Sequence, residues 1–374
     1  MTADRPPRTH RPPHTFTTRP VTAAVAGLLL LALSACGYGS QKTDTAAPAA
    51  NPGGKKLSAD SVTIGYFANI THATPLVGLQ QGLFQKALGG TRIKTQVFNA
   101  GPSEIEALNA GAIDIGWLGP SPAINGYVKS HGQDLKIIAG SASGGVSLVV
   151  NPNKIKSLDD LKGKRIASPQ LGNTQDVALL NYLASKGFKE DPQTGKGDVT
   201  VERIDNKTTP IAFQQGQIDG AWVPEPTASQ LVAKGARTLL DEKTLWKNGQ
   251  FVITNVVVSQ KFLKEHPDVV EAVLRGSVDT NAWIKANPAQ AAQAANAQLQ
   301  KLSGKPLPAG VLNTAFKNVE VTDDPLADTL REEADHAVQA GLLTSPDLHG
   351  IYDLTLLNKV LKAEGRPSVS DAGL

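Results

Sequence analysis

The sequence holds a single cysteine, Cys36, among 374 residues, so no internal disulfide can form and stability has to come from a packed core. It also lacks an excess of either charge. There are 37 Lys and Arg against 34 Asp and Glu, and four of the Arg fall within residues 1–20, which leaves no basic surface of the kind nucleic acid requires. Long hydrophobic runs are missing too, the best being VTAAVAGLLLLAL at 21–33, too short for a membrane span. No GxSxG, Walker-A or GxGxxG stretch occurs. The histidines, His10, His14, His72, His131, His266, His336 and His349, show neither HxH nor HExxH spacing. The expectation is therefore a chain with no metal, no cofactor and no catalytic centre.

What is present begins with an address. Residues 1–20 are rich in Arg and Pro, the apolar run follows, and Leu33-Ser34-Ala35-Cys36 comes directly after it. This resembles the lipobox of bacterial lipoproteins, which implies cleavage after residue 35 and a lipid on Cys36; ordinary secretion is the alternative. Residues 36–60 are small, polar and rich in Pro and Gly, and read as a flexible tether.

From residue 61 the chain alternates. SVTIGYF and TRIKTQVFN have strand character, while TPLVGLQQGLFQKAL carries apolar residues at helical spacing. The rhythm continues through LKIIAGS and restarts at KRIASPQ, then turns mainly helical after FVITNVVVSQ. Strands alternating with helices predict parallel sheets covered on both faces, and two such units predict two α/β lobes: 61–150, then 151–255, with 256–374 completing the first. ALNAGAIDIGWLGPSP and AFQQGQIDGAWVPEPTA share one outline, helix end, Gly, Ile-Asp, Gly, Trp, Pro, as equivalent corners of two similarly wound lobes would.

Several strand-to-helix corners are built from small polar residues. In open α/β sheets such corners present unpaired N–H groups at helix starts, and these bind anions without a cationic side chain. Gly101 and Ser103, Gly119 and Ser121, Gln170 with Gly172, Asn173 and Thr174, and Asn69, Thr71 and His72 stand at these corners, as do Lys207, Thr208 and Thr209. Ser103 and Ser121 occupy candidate N-cap positions. Phe67 and Trp117 read either as cleft walls or as core. Trp222 carries the same two readings, and Glu225, between Pro224 and Pro226, is either a partner for a ligand amine or a solvated loop acid.

GPSEIEALNAGAIDIGWLGPSPAI, SLDDLKGKRIASP and AFQQGQIDGAWVPEP together resemble the solute-binding proteins of ABC importers, in the branch for aliphatic sulfonates, taurine and nitrate. The resemblance implies a type II periplasmic-binding-protein fold, with crossover strands near Val146 to Asn151 and Phe251 to Val258. It further implies a monomer that captures a small anion between its lobes and delivers it to a membrane permease, held at the outer face of the membrane by the Cys36 lipid. An aliphatic sulfonate, with three acceptor oxygens, suits Ser103, Ser121, Asn173 and Thr174. Taurine, nitrate or a vitamin-like heterocycle are alternative solutes. A surface receptor or an enzyme on the same fold are alternative classes.

Overall fold

The computed structural model describes residues 41–43 and 56–374; residues 1–40, with the signal segment and Cys36, and residues 44–55 lie outside the described residues. The first part of the chain runs β1 (Gln41–Thr43), β2 (Ser61–Phe67), α1 (Ala73–Gln80), α2 (Leu83–Leu88), β3 (Arg92–Phe98), α3 (Gly101–Asn109), β4 (Ile115–Leu118), α4 (Pro120–Lys129) and β5 (Leu135–Gly144). The second runs β6 (Val146–Val150), β7 (Arg165–Ser168), α5 (Thr174–Ser185), β8 (Thr200–Arg203), α6 (Thr209–Gln214), β9 (Gly220–Pro224), α7 (Thr227–Ala233) and β10 (Arg237–Asp241). The last runs β11 (Val252–Ser259), α8 (Gln260–Glu265), α9 (Pro267–Ala286), α10 (Pro288–Ser303), α11 (Ala309–Asn318), β12 (Val319–Val321), α12 (Ala327–Gln339) and α13 (Thr355–Ala363).

Two sheets result, ordered β1-β3-β2-β4-β11-β5-β12 and β10-β6-β9-β7-β8. β2 lies parallel between β3 and β4, and β7 lies parallel between β8 and β9, so both lobes are wound in the same order. Beyond that trio each sheet is antiparallel, with β11 beside β4 and β6 beside β9. The purely parallel sheets expected from the alternation are thus mixed, because strands crossing from one lobe to the other run back against their new neighbours. The segments expected as crossovers are β6, which lies wholly in the second sheet although residues 61–150 are expected in the first lobe, and β11, which lies wholly in the first sheet. The first link between the sheets is Gly144-Gly145, both at positive φ, and a Cβ on Gly145 would stand 2.4 Å from a Val319 methyl. β1 pairs antiparallel with the edge strand β3, so three residues of the stretch read as tether belong to a sheet instead. An otherwise open edge gives them ladder partners.

The repeated Ile-Asp outline has a specific cause. Asp114 accepts the Thr63 N–H of β2 at 2.8 Å, and Asp219 accepts the Arg165 N–H of β7 at 2.9 Å. In both lobes an Asp just ahead of the third parallel strand fastens that strand to the first one. Trp117 and Trp222 follow on β4 and β9, and both are fully buried. The larger core gathers Trp117 and Phe84 with α9, α10 and α13, and the second gathers Trp222, Tyr182, Trp246 and Phe251. α12 connects them. Its Leu330 and Ala334 belong to the first core, while Ala340 just past its end belongs to the second.

Candidate ligand cleft

The parallel strands of both sheets end where the lobes face each other, and the corners beyond them meet there. Among the described residues, two of the hydrogen bonds between the lobes lie at these corners. The Gly101 N–H, at the start of α3, donates to Asn173 Oδ1 at the start of α5 at 3.2 Å, and the Ile70 N–H donates to the Glu225 carbonyl at 3.1 Å. Between them lies a small cavity lined by Phe67, Asn69, Thr71, His72, Gly119, Asn173, Thr174, Gln175, Asn206, Pro224 and Ile253. The space left is about 10 Å³, room for roughly one water, so any larger solute requires the lobes to part.

The lining bears no formal charge. His72 is buried, stacks on Phe67 with ring centroids 4.3 Å apart, and accepts the Phe67 N–H through Nδ1 at 3.2 Å. Its proton therefore sits on Nε2. Burial pushes its pKa down to about 3, so it serves as a neutral donor at any physiological pH. Asn173 Nδ2 donates to Gln175 Oε1 at 2.7 Å, fixing the amide orientation. Thr174 Oγ1 and Asn206 Oδ1 are buried without hydrogen-bond partners. A Cβ on Gly119 would stand 2.2 Å from Thr174 Oγ1, so glycine is what lets α4 and α5 meet across the cleft.

Donor supply differs among the corners. α4 begins Pro120-Ser121-Pro122, and the two prolines remove two of its first N–H groups. In α3 the leading N–H of Gly101 is occupied by Asn173, and Pro102 has none. α5 begins Thr174-Gln175 with no proline, which makes its N-terminus the best stocked with donors and with the positive end of a helix dipole.

Of the residues expected at the site, Asn69, Thr71, His72, Gly119, Asn173 and Thr174 are brought together, and Gly101 touches the cleft through its bond to Asn173. Others are placed elsewhere. The N-cap positions of α3 and α4 are Ala100 and Gly119, not Ser103 and Ser121, because each helix starts at the Gly-Pro or the Pro ahead of its serine. Ser103 is exposed in the first turn, and Ser121 turns away to Glu333 Oε2 at 3.4 Å. Gly172 shapes the turn with φ +73 and donates to Asp176, while Gln170 accepts the Asn173 N–H through its carbonyl. Trp222 is core, its indole N–H bound to Glu242 Oε2 at 2.6 Å. Glu225 is neither solvated nor open to a ligand. Only 2% exposed, its carboxylate takes the Ser229 N–H and hydroxyl and the Asn318 amide at 2.7 Å, and burial holds its pKa above the usual range.

Gln175, Asn206, Pro224 and Ile253 join the lining without having been expected there. Asn206 has a signal, since it stands beyond β8 at a polar strand-to-helix corner whose sequence pattern points one residue later, to Lys207. Ile253 has none, because a β-branched residue on a buried strand reads as core.

Comparison with known proteins gives a consistent picture. The model of the NMT1-like family matches residues 55–299. The taurine-binding periplasmic protein of Escherichia coli (strain K12) is 30% identical over 233 residues, 62% of this chain and 69% of that protein. Among solved structures, the alkanesulfonate-binding protein SsuA from Xanthomonas axonopodis pv. citri, bound to MOPS, superposes with a TM-score of 0.63 at 24% identity, over 76% of this chain and 95% of that one. The nitrate-binding protein NrtA from Synechocystis PCC 6803 gives 0.69 at 14% identity, over 83% and 90%.

Proposed function

The chain belongs to the NMT1-like family, and from that premise we propose that it is the extracytoplasmic solute-binding component of an ABC importer, capturing an aliphatic sulfonate between its lobes. The observation that carries this reading is the uncharged, donor-rich cleft closed by the Gly101–Asn173 bond. A sulfonate is ionised at all physiological pH values. Neutral dipoles, helix N-termini and a permanently neutral His72 hold such a group without the desolvation cost of burying a second charge.

In this reading ligand enters while the lobes stand apart, and its head group meets the Thr174 and Gln175 end of α5, with Asn173, His72 and Thr71 around it. Closure then depends on ligand contacting both lobes, since only differential affinity shifts such an equilibrium. The closed form is what a permease would recognise. No carboxylate stands among the lining residues, which favours an alkanesulfonate over taurine, whose ammonium would find no anionic partner there. A monomer suffices, and binding without chemistry needs no cofactor. Cys36 at the end of the apolar run supports lipid attachment at the outer face of the membrane; mass spectrometry of the purified chain checks it, and an unmodified Cys36 would leave plain secretion.

The deciding experiment is calorimetric titration of the full-length chain in detergent with ethanesulfonate, taurine, nitrate and riboflavin. Ethanesulfonate is expected to bind one-to-one and more tightly than taurine, with affinity flat between about pH 5 and 9, because His72 does not titrate there. Binding of riboflavin alone would retain the importer role and overturn the head-group assignment.

A further inference from the structure

We propose that the cavity between α5, α12 and the turn after β10 is a second, separate site that takes a small organic ammonium ion. The cavity measures about 170 Å³, larger than the space left in the cleft, and shares no lining residue with it. That volume suits a molecule of a few heavy atoms. Ala178, Asn181, Tyr182 and Ser185 of α5 form one wall, a stripe at helical spacing that begins one turn beyond the residues of α5 that line the cleft. Trp222, Glu242, Leu245, Trp246 and His336 close the rest, and the exposed Lys186 also borders it.

Several polar atoms here lack hydrogen-bond partners. Glu242 is 1% exposed; its Oε2 accepts from Trp222, while Oε1 has no hydrogen bond of standard geometry, although the neighbouring Trp246 indole also favours the ionised form. The Tyr182 hydroxyl and Asn181 Oδ1 are likewise buried and unpartnered. Two acceptor oxygens, Glu242 Oε1 and Asn181 Oδ1, and a hydroxyl that can also accept stand without a partner of standard geometry, which suits a ligand that donates. An anion is excluded by the carboxylate. The aromatic walls complete the argument: Tyr182 and Trp222 lie 5.3 Å apart, Trp246 stacks on Phe251, and ring faces of this kind attract a cation once water is displaced.

The surrounding charges are consistent with that reading. Glu242 raises the pKa of Glu333 of α12, also fully buried, beyond what burial does, as two carboxyls in one dry region do, while burial pushes Glu242 itself up to about 7. Asp241 adds to the same effect from the preceding residue. Burial holds the His336 pKa below its usual value, with Glu332 at 3.9 Å, and the lining Lys186 lies 5.4 Å over the Tyr182 ring, a cation already placed against one aromatic wall. A cation inside would let Glu242 release its proton, so binding strengthens as pH rises through about 7.

The test is titration of the full-length chain with choline and, separately, with its uncharged isostere 3,3-dimethylbutan-1-ol at equal ionic strength. Choline should bind one-to-one, at least about tenfold more tightly than the alcohol, and more weakly at about pH 5.5 than at about pH 8. Glu242→Gln should lower choline affinity about tenfold or more, and Tyr182→Phe, which removes only an unpartnered hydroxyl, by about threefold. Equal binding of the alcohol would make the cavity merely apolar, and silence toward both probes would make it a void. Choline binding unmoved by Tyr182→Phe and Glu242→Gln alike would put the cation elsewhere. Each of these outcomes overturns the proposal.

Discussion

In the first lobe the Glu104 carboxyl lies fully buried beneath α3, and no ion pair reaches it among the described residues. Its space comes from two glycines: a Cβ on Gly65 or Gly116 would stand 2.5 or 2.6 Å from Oε1. In the second lobe the equally buried Asp176 is held by Arg203 at 3.0 Å, by the Ser168 hydroxyl and by the Gly172 N–H at 3.0 Å. The strand-fastening aspartates repeat the contrast. Burial raises the pKa of Asp114, whereas Asp219, also penalised by burial, is held low by Lys154 at 2.6 Å and by Arg165. At these positions one winding order therefore tolerates two answers to an acid taken from water, a raised pKa at Glu104 and Asp114 and an ion pair at Asp176 and Asp219. The answers have different consequences for stability and pH.

The largest effect expected from this contrast is on folding. Asp176→Asn leaves Arg203 without its counter-charge and should cost about 3 kcal/mol in denaturant unfolding, whereas Glu104→Gln should stay within about 1 kcal/mol. Equal losses would end the distinction between the lobes. Close behind comes pH. Glu104, Glu242 and Glu333 all keep their protons in the fold above the point, near 4.5, where the unfolded chain releases them. The folded state then binds more protons, so stability must fall as pH rises. Between pH 4.5 and about 7 Glu242 alone accounts for roughly 3 kcal/mol. A melting temperature no higher at about pH 5 than at about pH 8 would contradict the assignment.

Smaller effects concern the meeting of the lobes. Gly119→Ala sets a methyl against Thr174 and should weaken sulfonate binding about tenfold with little change in stability, since the clash exists only on closure. Glu225→Gln loosens the bonds to Ser229 and Asn318 and should lower ethanesulfonate and taurine affinity alike, by about twofold to fivefold. A loss confined to taurine would restore the direct contact with a ligand amine that the buried geometry argues against.

Much of the architecture is legible in the sequence. The strand and helix periods, the restart at KRIASPQ and the shared Ile-Asp outline are local patterns, and the outline corresponds to one strand N–H to carboxylate bond made twice, with Asp114 and with Asp219 as acceptors. Small polar corners likewise point to Asn69, Thr71, His72, Asn173 and Thr174. Ser103 and Ser121 mislead because an N-cap depends on where the first helical turn starts, and a proline moves that start. Glu225 misleads because its partner Asn318 lies 93 residues further along the chain.

Relations between neighbours along the chain are determined by the sequence alone: the period of each element, the turn chemistry of each corner, the want of an internal disulfide, and the kinship with solute-binding proteins. Which corner residues face one cavity, which carboxyls are paired or left alone, and how Asn173 reaches Gly101 depend on how two sheets and α12 pack against one another. Periodicity encodes which face of an element is buried. Burial, and with it the strength of every charge and hydrogen bond, is decided by what comes to lie on that face from far away in the chain.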